Sequence, residues 1–209
     1  DWATGSICRC VAKLGFSYEG LDVRMCEGEA QLAEALIALA TQPGYTNDCV
    51  YVQQRVNRVH VEARCFVMAG EVVEVLYTRF GRVDPSGYVR DYEKARSEDE
   101  ARREWFGNDR EAWGQAKEQI RVLSRRWHLW LLTQAADPTT SVRIDYMLEL
   151  VAPGRAEVWT GEVGEQGYSM GGIDPVVVFD AVLDSISPEV RQRRSSVGGK
   201  RAHSEQQGL

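Results

Sequence analysis

Lys13 closes the alternating apolar run ICRCVAK, from Ile7 to Lys13, and stands directly before a loop with two glycines, Gly15-Phe16-Ser17-Tyr18-Glu19-Gly20. From that position an ammonium group can meet phosphate oxygens while loop N–H groups cradle them. The plainer reading makes Lys13 the solvated end of a strand. Asp145 and Glu162 lie inside two further alternating runs, VRIDYMLEL and AEVWTGEV. On neighbouring strands the two carboxylates reach one face, where they repel each other unless a cation lies between them. A hard divalent ion such as Mg²⁺ suits such a pair, since it commonly takes one or two protein carboxylates together with substrate phosphates. As surface positions of an edge hairpin they would need no ion. Arg64 and Arg79 sit one on each arm of a predicted hairpin turned at Ala69-Gly70. Strand-borne arginines make fork-shaped contacts with phosphate, although on a solvated sheet face they are common without any ligand. Glu62 and Arg64 share a face by the two-residue period of a strand, so they can also simply pair with each other.

The elements that must position these groups follow from periodicity. Ile7–Lys13 and Leu21–Met25 read as strands, Glu29–Thr41 as a helix with an acidic first turn ended by Pro43-Gly44, and Val50–Val56 as a third strand. His60–Met68 and Glu71–Phe80 form the antiparallel hairpin. From Asp91 the charge density rises, and Trp105, Trp113 and Trp127 fall at spacings compatible with one helical face; Asp109–Leu132 reads as a long amphipathic helix. Val142–Leu150 and Ala156–Val163 are strands joined at Pro153-Gly154. A Gly-rich stretch, Gly164 to Gly172, leads to Asp174-Pro175 and a final helix over Val176–Ile186. Two groups of strands with helices outside them imply an α+β architecture of two lobes. The expected organisation is a small lobe over 1–55, a larger lobe over 56–187 and a disordered basic tail over 188–209.

Composition excludes several classes. The 209 residues carry 25 Lys and Arg against 31 Asp and Glu, a net charge of -6, which argues against a surface built throughout for nucleic acid. No run approaches the ~20 apolar residues that a membrane span requires. The length is enough to bury roughly 70% of the unfolded surface without disulfide or metal staples. The five cysteines, Cys8, Cys10, Cys26, Cys49 and Cys65, lack zinc-knuckle spacing. They are expected as thiols in a reducing intracellular compartment, the cytoplasm or an organelle. The opening Asp1-Trp2-Ala3 is expected to be the start of a processed product or a fragment of a larger protein.

Taken in order, the strand ending in Lys13, the two-glycine loop, the helix, VYVQQRV, VEARCFVMAGEVVEVLYTRF, IDYMLEL and EVWTGEVGEQG resemble the ATP-grasp superfamily. Within it, EARCFVMAGEVV is similar to the ribosomal-protein glutamate ligases. The resemblance covers about Ile7 to Ile186. It implies ATP and Mg²⁺ as cofactors and a two-lobed ATP-grasp-like fold, with a small α/β lobe and a larger antiparallel-sheet lobe. Lys13 then matches the phosphate-contacting lysine, and Ser17 to Gly20 match the phosphate-covering loop. Gln53, Gln54, Arg55 and Val56 match the strand whose backbone meets adenine. Arg64 and Arg79 match arginines near the transferred phosphate, and Asp145 and Glu162 match the magnesium ligands. The chain departs from the pattern at Gly164, where the family usually carries Asn, so that Glu165 would have to supply the missing contact. The family's Asn-bearing segment is also not evident in FGRVDPSGYVRDYEK, and its upstream substrate domain lies outside the chain.

The implied function is an ATP-dependent ligase that activates a small-molecule or peptide carboxylate as an acyl phosphate. The competing reading is a non-catalytic ATP-grasp-like scaffold or assembly subunit. Its protein partner would be met through Trp127 and Trp130 of the Trp-rich helix or through the basic tail, whose Arg191, Arg193, Arg194, Lys200 and Arg201 could alternatively bind nucleic acid or an acidic protein surface. Those tryptophans serve equally as core. His60, His128 and His203 are widely dispersed and read as structural or exposed.

Overall fold

The computed structural model describes residues 9–15, 22–43, 49–56, 58–68, 70–81, 92–134 and 141–164, with Val176 and Phe179. The expected phosphate loop with Ser17 and Gly20, most of the Gly-rich stretch, most of the final helix and the tail lie outside the described residues. The fold is α+β, built on two antiparallel sheets in two compact units.

The first unit comprises residues 1–59 and 79–94. Its sheet has β1 (Arg9–Leu14) at the centre, flanked by β2 (Val23–Glu27) and β3 (Val50–Gln54). Alternation along β1 sends Cys10, Ala12 and Leu14 to the face covered by α1 (Glu29–Ala40), where they pack with Leu32, Ala35 and Leu39. The helix stops at Ala40, ahead of Pro43. Thr41 closes it, its N–H and its hydroxyl both donating to the Ile37 carbonyl.

The second unit comprises residues 60–78 and 95–209. The second sheet runs β6-β5-β4-β7-β8, with β4 (Val61–Met68), β5 (Glu71–Phe80), β6 (Tyr92–Lys94), β7 (Ser141–Ala152) and β8 (Arg155–Gly164). Arg79, Phe80 and β6 group with the first unit, although the sequence places them inside the larger lobe. One face of the second sheet carries Val61, Ala63, Cys65, Tyr77, Val142, Ile144, Tyr146 and Leu148, packed against α3 (Arg110–Gln134). On that helix Ala112, Trp113, Ala116, Ile120 and Ser124 recur every three or four residues and form the buried stripe. Full burial of a side chain such as Ile144 contributes about 1.5–3 kcal/mol. The helix also closes the free edge of β8: Gln119 Nε2 donates to the Ala156 carbonyl at 2.8 Å while its Oε1 accepts from the Val158 N–H at 3.2 Å.

Two features differ from the sequence expectation. β6 and a short helix, α2 (Glu98–Glu100), run on into a π-helical turn over Ala101–Trp105, where the Trp spacing is compatible with a helical face shared with Trp113 and Trp127. Trp105 therefore does not share one helix with Trp113 and Trp127. Gly107 and Asn108 take positive φ values of 65° and 58°, which stop one helix before Asp109 starts the next.

The other feature is a bulge in β8. Asp145 pairs with Glu162, but the next residue of β7, Tyr146, pairs with Thr160, leaving Gly161 as an extra residue. Thr160 thus belongs to the core face, where its hydroxyl accepts from Trp127 Nε1 at 3.0 Å, and Glu162 belongs to the opposite one.

Candidate functional site

The face of the second sheet turned away from α3 mixes charged groups with apolar ones such as Phe66 and Leu76. Arg64 on β4 pairs in register with Asp145 on β7, and Asp145 pairs with Glu162 on β8, so three of the residues singled out in the sequence form one row across three strands. Register partners lie within side-chain reach on the same face. Within that row Asp145 is 4% exposed, whereas 41% of the Glu162 side chain meets solvent.

Two neighbours complete the cluster. Glu62, two residues before Arg64, accepts from Arg64 Nε at 2.9 Å and from the Thr78 hydroxyl at 2.6 Å with the same oxygen, Oε2. Arg143, two residues before Asp145, donates from Nε and Nη2 to the two Asp145 carboxylate oxygens, each at 2.9 Å. Its Nη2 also lies 4.0 Å from Glu162 Oε2. Glu62, Thr78, Arg143 and Asp145 are all buried, and buried charges persist only when paired and hydrogen-bonded. Burial and the neighbouring Glu62 carboxylate push the Asp145 carboxyl up to about 6, against the opposing pull of Arg143 and Arg64. Three carboxylates and two guanidiniums share this part of the face, so acidic charge is in excess. Sequence reasoning did not pick out Arg143 or Thr78. The signal for Arg143 was available, because the two-residue period that joins Glu62 to Arg64 joins it to Asp145 as well.

The donor chemistry fits a hard divalent ion: carboxylate oxygens on two register-paired positions, in a cluster with excess negative charge. Among the described residues no three His, Cys, Asp or Glu side chains converge as a metal cage. An ion here would therefore rely on Asp145 and Glu162 with ligands from elsewhere.

The remaining predicted residues lie in the first unit. Lys13 pairs with Val23 on one side and Tyr51 on the other, and Val11 pairs with Gln53. Lys13 and Gln53 thus share the face of the first sheet opposite α1, while Gln54 pairs with Cys10 on the helix side. Arg55 and Val56 follow the end of β3, where Arg55 makes an ion pair with Glu27 at 3.3 Å. Arg79 pairs with Glu93 on β6. His60 is structural: its Nδ1 accepts from the Leu150 N–H at 3.2 Å.

Among the described residues no helix is long and apolar enough to cross a membrane. No protein-family model matches the chain, and no curated protein matches it. Among solved structures, the chain is similar to the crystal structure of D-cycloserine synthetase DcsG, with a TM-score of 0.49 and 18% sequence identity. That similarity covers 89% of this chain and 58% of the DcsG chain, so the chain spans little more than half the length of that protein.

Proposed function

We propose that this chain is the nucleotide-binding region of an ATP-grasp ligase, which binds Mg-ATP and activates a carboxylate as an acyl phosphate for capture by an amine or a similar nucleophile. The observation that carries this reading is the row Arg64–Asp145–Glu162, flanked by Arg143 and Glu62 on one sheet face. Such a face suits phosphoryl transfer, which asks a protein mainly for positioning and for charges placed against phosphate oxygens. Arg64 is held at its Nε by Glu62, which fixes the orientation of its guanidinium. Lys13 is the residue assigned to a nucleotide phosphate, and Gln53, Gln54, Arg55 and Val56 are the strand assigned to adenine. Ser17 and Gly20 belong to the loop that would cover the phosphates, and Arg79 is the second arginine assigned to the transferred group. Asp145 and Glu162 are the residues that would hold Mg²⁺, which would supply positive charge against the phosphate oxygens. The substrate carboxylate attacks the γ-phosphorus, ADP departs, and the nucleophile then displaces phosphate from the acyl carbon. Calorimetry of the chain with Mg-ATP should show heat and a raised melting temperature, both reduced strongly by Lys13→Ala. No heat and no thermal shift would end the proposal.

A second reading, a non-catalytic ATP-grasp-like scaffold, is favoured by Gly164 in place of Asn and by Trp130, which is 51% exposed on α3. In that case a protein partner docks through the Trp-rich helix or the basic tail, and Mg-ATP either does not bind or is not turned over. A monomer with measurable ATP turnover would exclude it. Either reading suits a reducing intracellular compartment, in the cytoplasm or an organelle, where Cys10 and Cys26 remain thiols on facing positions of β1 and β2.

A further inference from the structure

Two like charges at facing positions of antiparallel strands repel, and Asp145 and Glu162 are such a pair. The cation that relieves this repulsion is already part of the chain. Arg143 reaches the same face from two residues earlier on β7, and its fork occupies both Asp145 oxygens at 2.9 Å. The same Nη2 that binds Asp145 Oδ2 stands 4.0 Å from Glu162 Oε2, so one guanidinium nitrogen lies toward both acids. The Arg143 and Asp145 side chains are each only 6% exposed, so their contact is shielded from solvent. A bidentate pair of this kind is also among the stronger charge-assisted contacts a protein makes.

We propose that Arg143 is the built-in counter-cation of the Asp145–Glu162 pair, and that a divalent ion must compete with its guanidinium for the two carboxylates. This inference rests on the reading of those two carboxylates as the cation-holding pair. Mg²⁺ binds its oxygens at about 2.0–2.1 Å, and a second cation that close to the guanidinium held on both Asp145 oxygens is repelled by it. The exchange becomes favourable when a polyanion arrives with the metal, because the released guanidinium then has a new partner. The acidic pair therefore binds metal poorly by itself and binds metal and nucleotide together.

The test is titration of the full chain with Mn²⁺ alone, reading free Mn²⁺ by electron paramagnetic resonance. The wild-type chain should bind weakly, Arg143→Gln at least about tenfold more tightly as the competing charge is removed, and Arg143→Lys at an intermediate level. Equal or weaker Mn²⁺ binding by a folded Arg143→Gln variant overturns the inference. Should Arg143→Gln fail to fold, the Arg143 Nε–H resonance of the wild-type chain serves instead. It should stay in place with Mg²⁺ alone and move when Mg²⁺ and ATP are added together, and a resonance unmoved by saturating Mg-ATP overturns the inference as well. Mg-ATP calorimetry on the wild-type chain separates the two levels. Heat there without a gain in Arg143→Gln defeats only the counter-cation, whereas no heat with Mg-ATP defeats the functional reading and leaves the Mn²⁺ comparison to judge Arg143.

Discussion

Glu62 holds Arg64 by its Nε at 2.9 Å along one strand, and the same carboxylate oxygen accepts the Thr78 hydroxyl from the next strand. The side chains are 8% and 21% exposed, so the pair is largely desolvated and its loss leaves Arg64 without its buried acceptor. Glu62→Gln should cost about 1–3 kcal/mol of stability, measured by denaturant unfolding. It should also lower the titration midpoint of the Asp145 carboxyl, followed by carbon NMR, because Glu62 is one of the charges that push it up. An unchanged midpoint would mean that burial alone sets it.

Lys13 stands outside the core formed by Cys10, Ala12 and Leu14 and is offered as a phosphate contact. Lys13→Ala should weaken Mg-ATP binding by about tenfold or more, the loss of one charge-assisted contact. Its melting temperature without ligand should stay within a few degrees of wild type. A large fall in ligand-free stability with unaltered nucleotide affinity would reassign the residue to the fold.

Glu98 gives a dependence on acid. Partial burial raises its pKa, but hydrogen bonds from Lys117 and from Trp113 Nε1, both at 2.9 Å, outweigh this and hold the carboxyl below the ordinary glutamate value. A carboxyl depressed in the folded state stabilises the fold above its unfolded pKa, and that stabilisation is lost as pH falls through the folded value. Melting temperatures recorded from pH 7 to pH 3 should therefore fall more steeply for wild type than for Glu98→Gln. Parallel curves would refute the assignment.

Trp127 and Trp130 stack edge to face, with centroids 5.5 Å apart, but do different work. Trp127 packs on the core and donates to Thr160, so Trp127→Ala should cost about 2–4 kcal/mol in chemical denaturation. Trp130, half exposed, should tolerate Ser with a change within about 0.5 kcal/mol. If the scaffold reading holds, Trp130→Ser should abolish partner binding in a pull-down while leaving the fold intact.

A Cβ added at Gly161 would come within 2.9 Å of Met147 Cε and 3.2 Å of the Asp145 carbonyl oxygen. The methionine tip can move aside, but the backbone oxygen belongs to the ladder and yields little. Gly161→Val should lower stability by about 1–3 kcal/mol and weaken Mg-ATP binding, read by unfolding and by calorimetry. Wild-type values for both would show that the bulge absorbs the change.

Where one force decides an element, the sequence was readable. The apolar period of α1 predicted its start at Glu29 and overran its end by one residue, and the two hairpins turned at the expected glycines. The long helix reads from Asp109, one residue before its observed start at Arg110, but the spacing of Trp105 to Trp113 and Trp127 also fits one helical face, which the turn at Gly107-Asn108 interrupts. Arg64, Asp145 and Glu162 were identified one by one, but their alignment in a row depends on strand order and register, which no local pattern encodes. Arg143 was passed over because a basic residue beside a proposed metal ligand looks unremarkable until its hydrogen bonds are known.

Simple alternation along β8 would send Glu162 to the same side as Ala156, Val158 and Thr160, into the hydrophobic interior. The extra residue at Gly161 inverts the parity of the strand, so that Val163 joins the core and Glu162 faces Asp145. The strand is in effect two segments of opposite phase spliced at a single position. Were the same residues paired without the bulge, Gly161 would stand opposite Asp145 and Glu162 opposite Ile144, on the core face, so the acid holds its place in the row only because one residue is left out of the ladder.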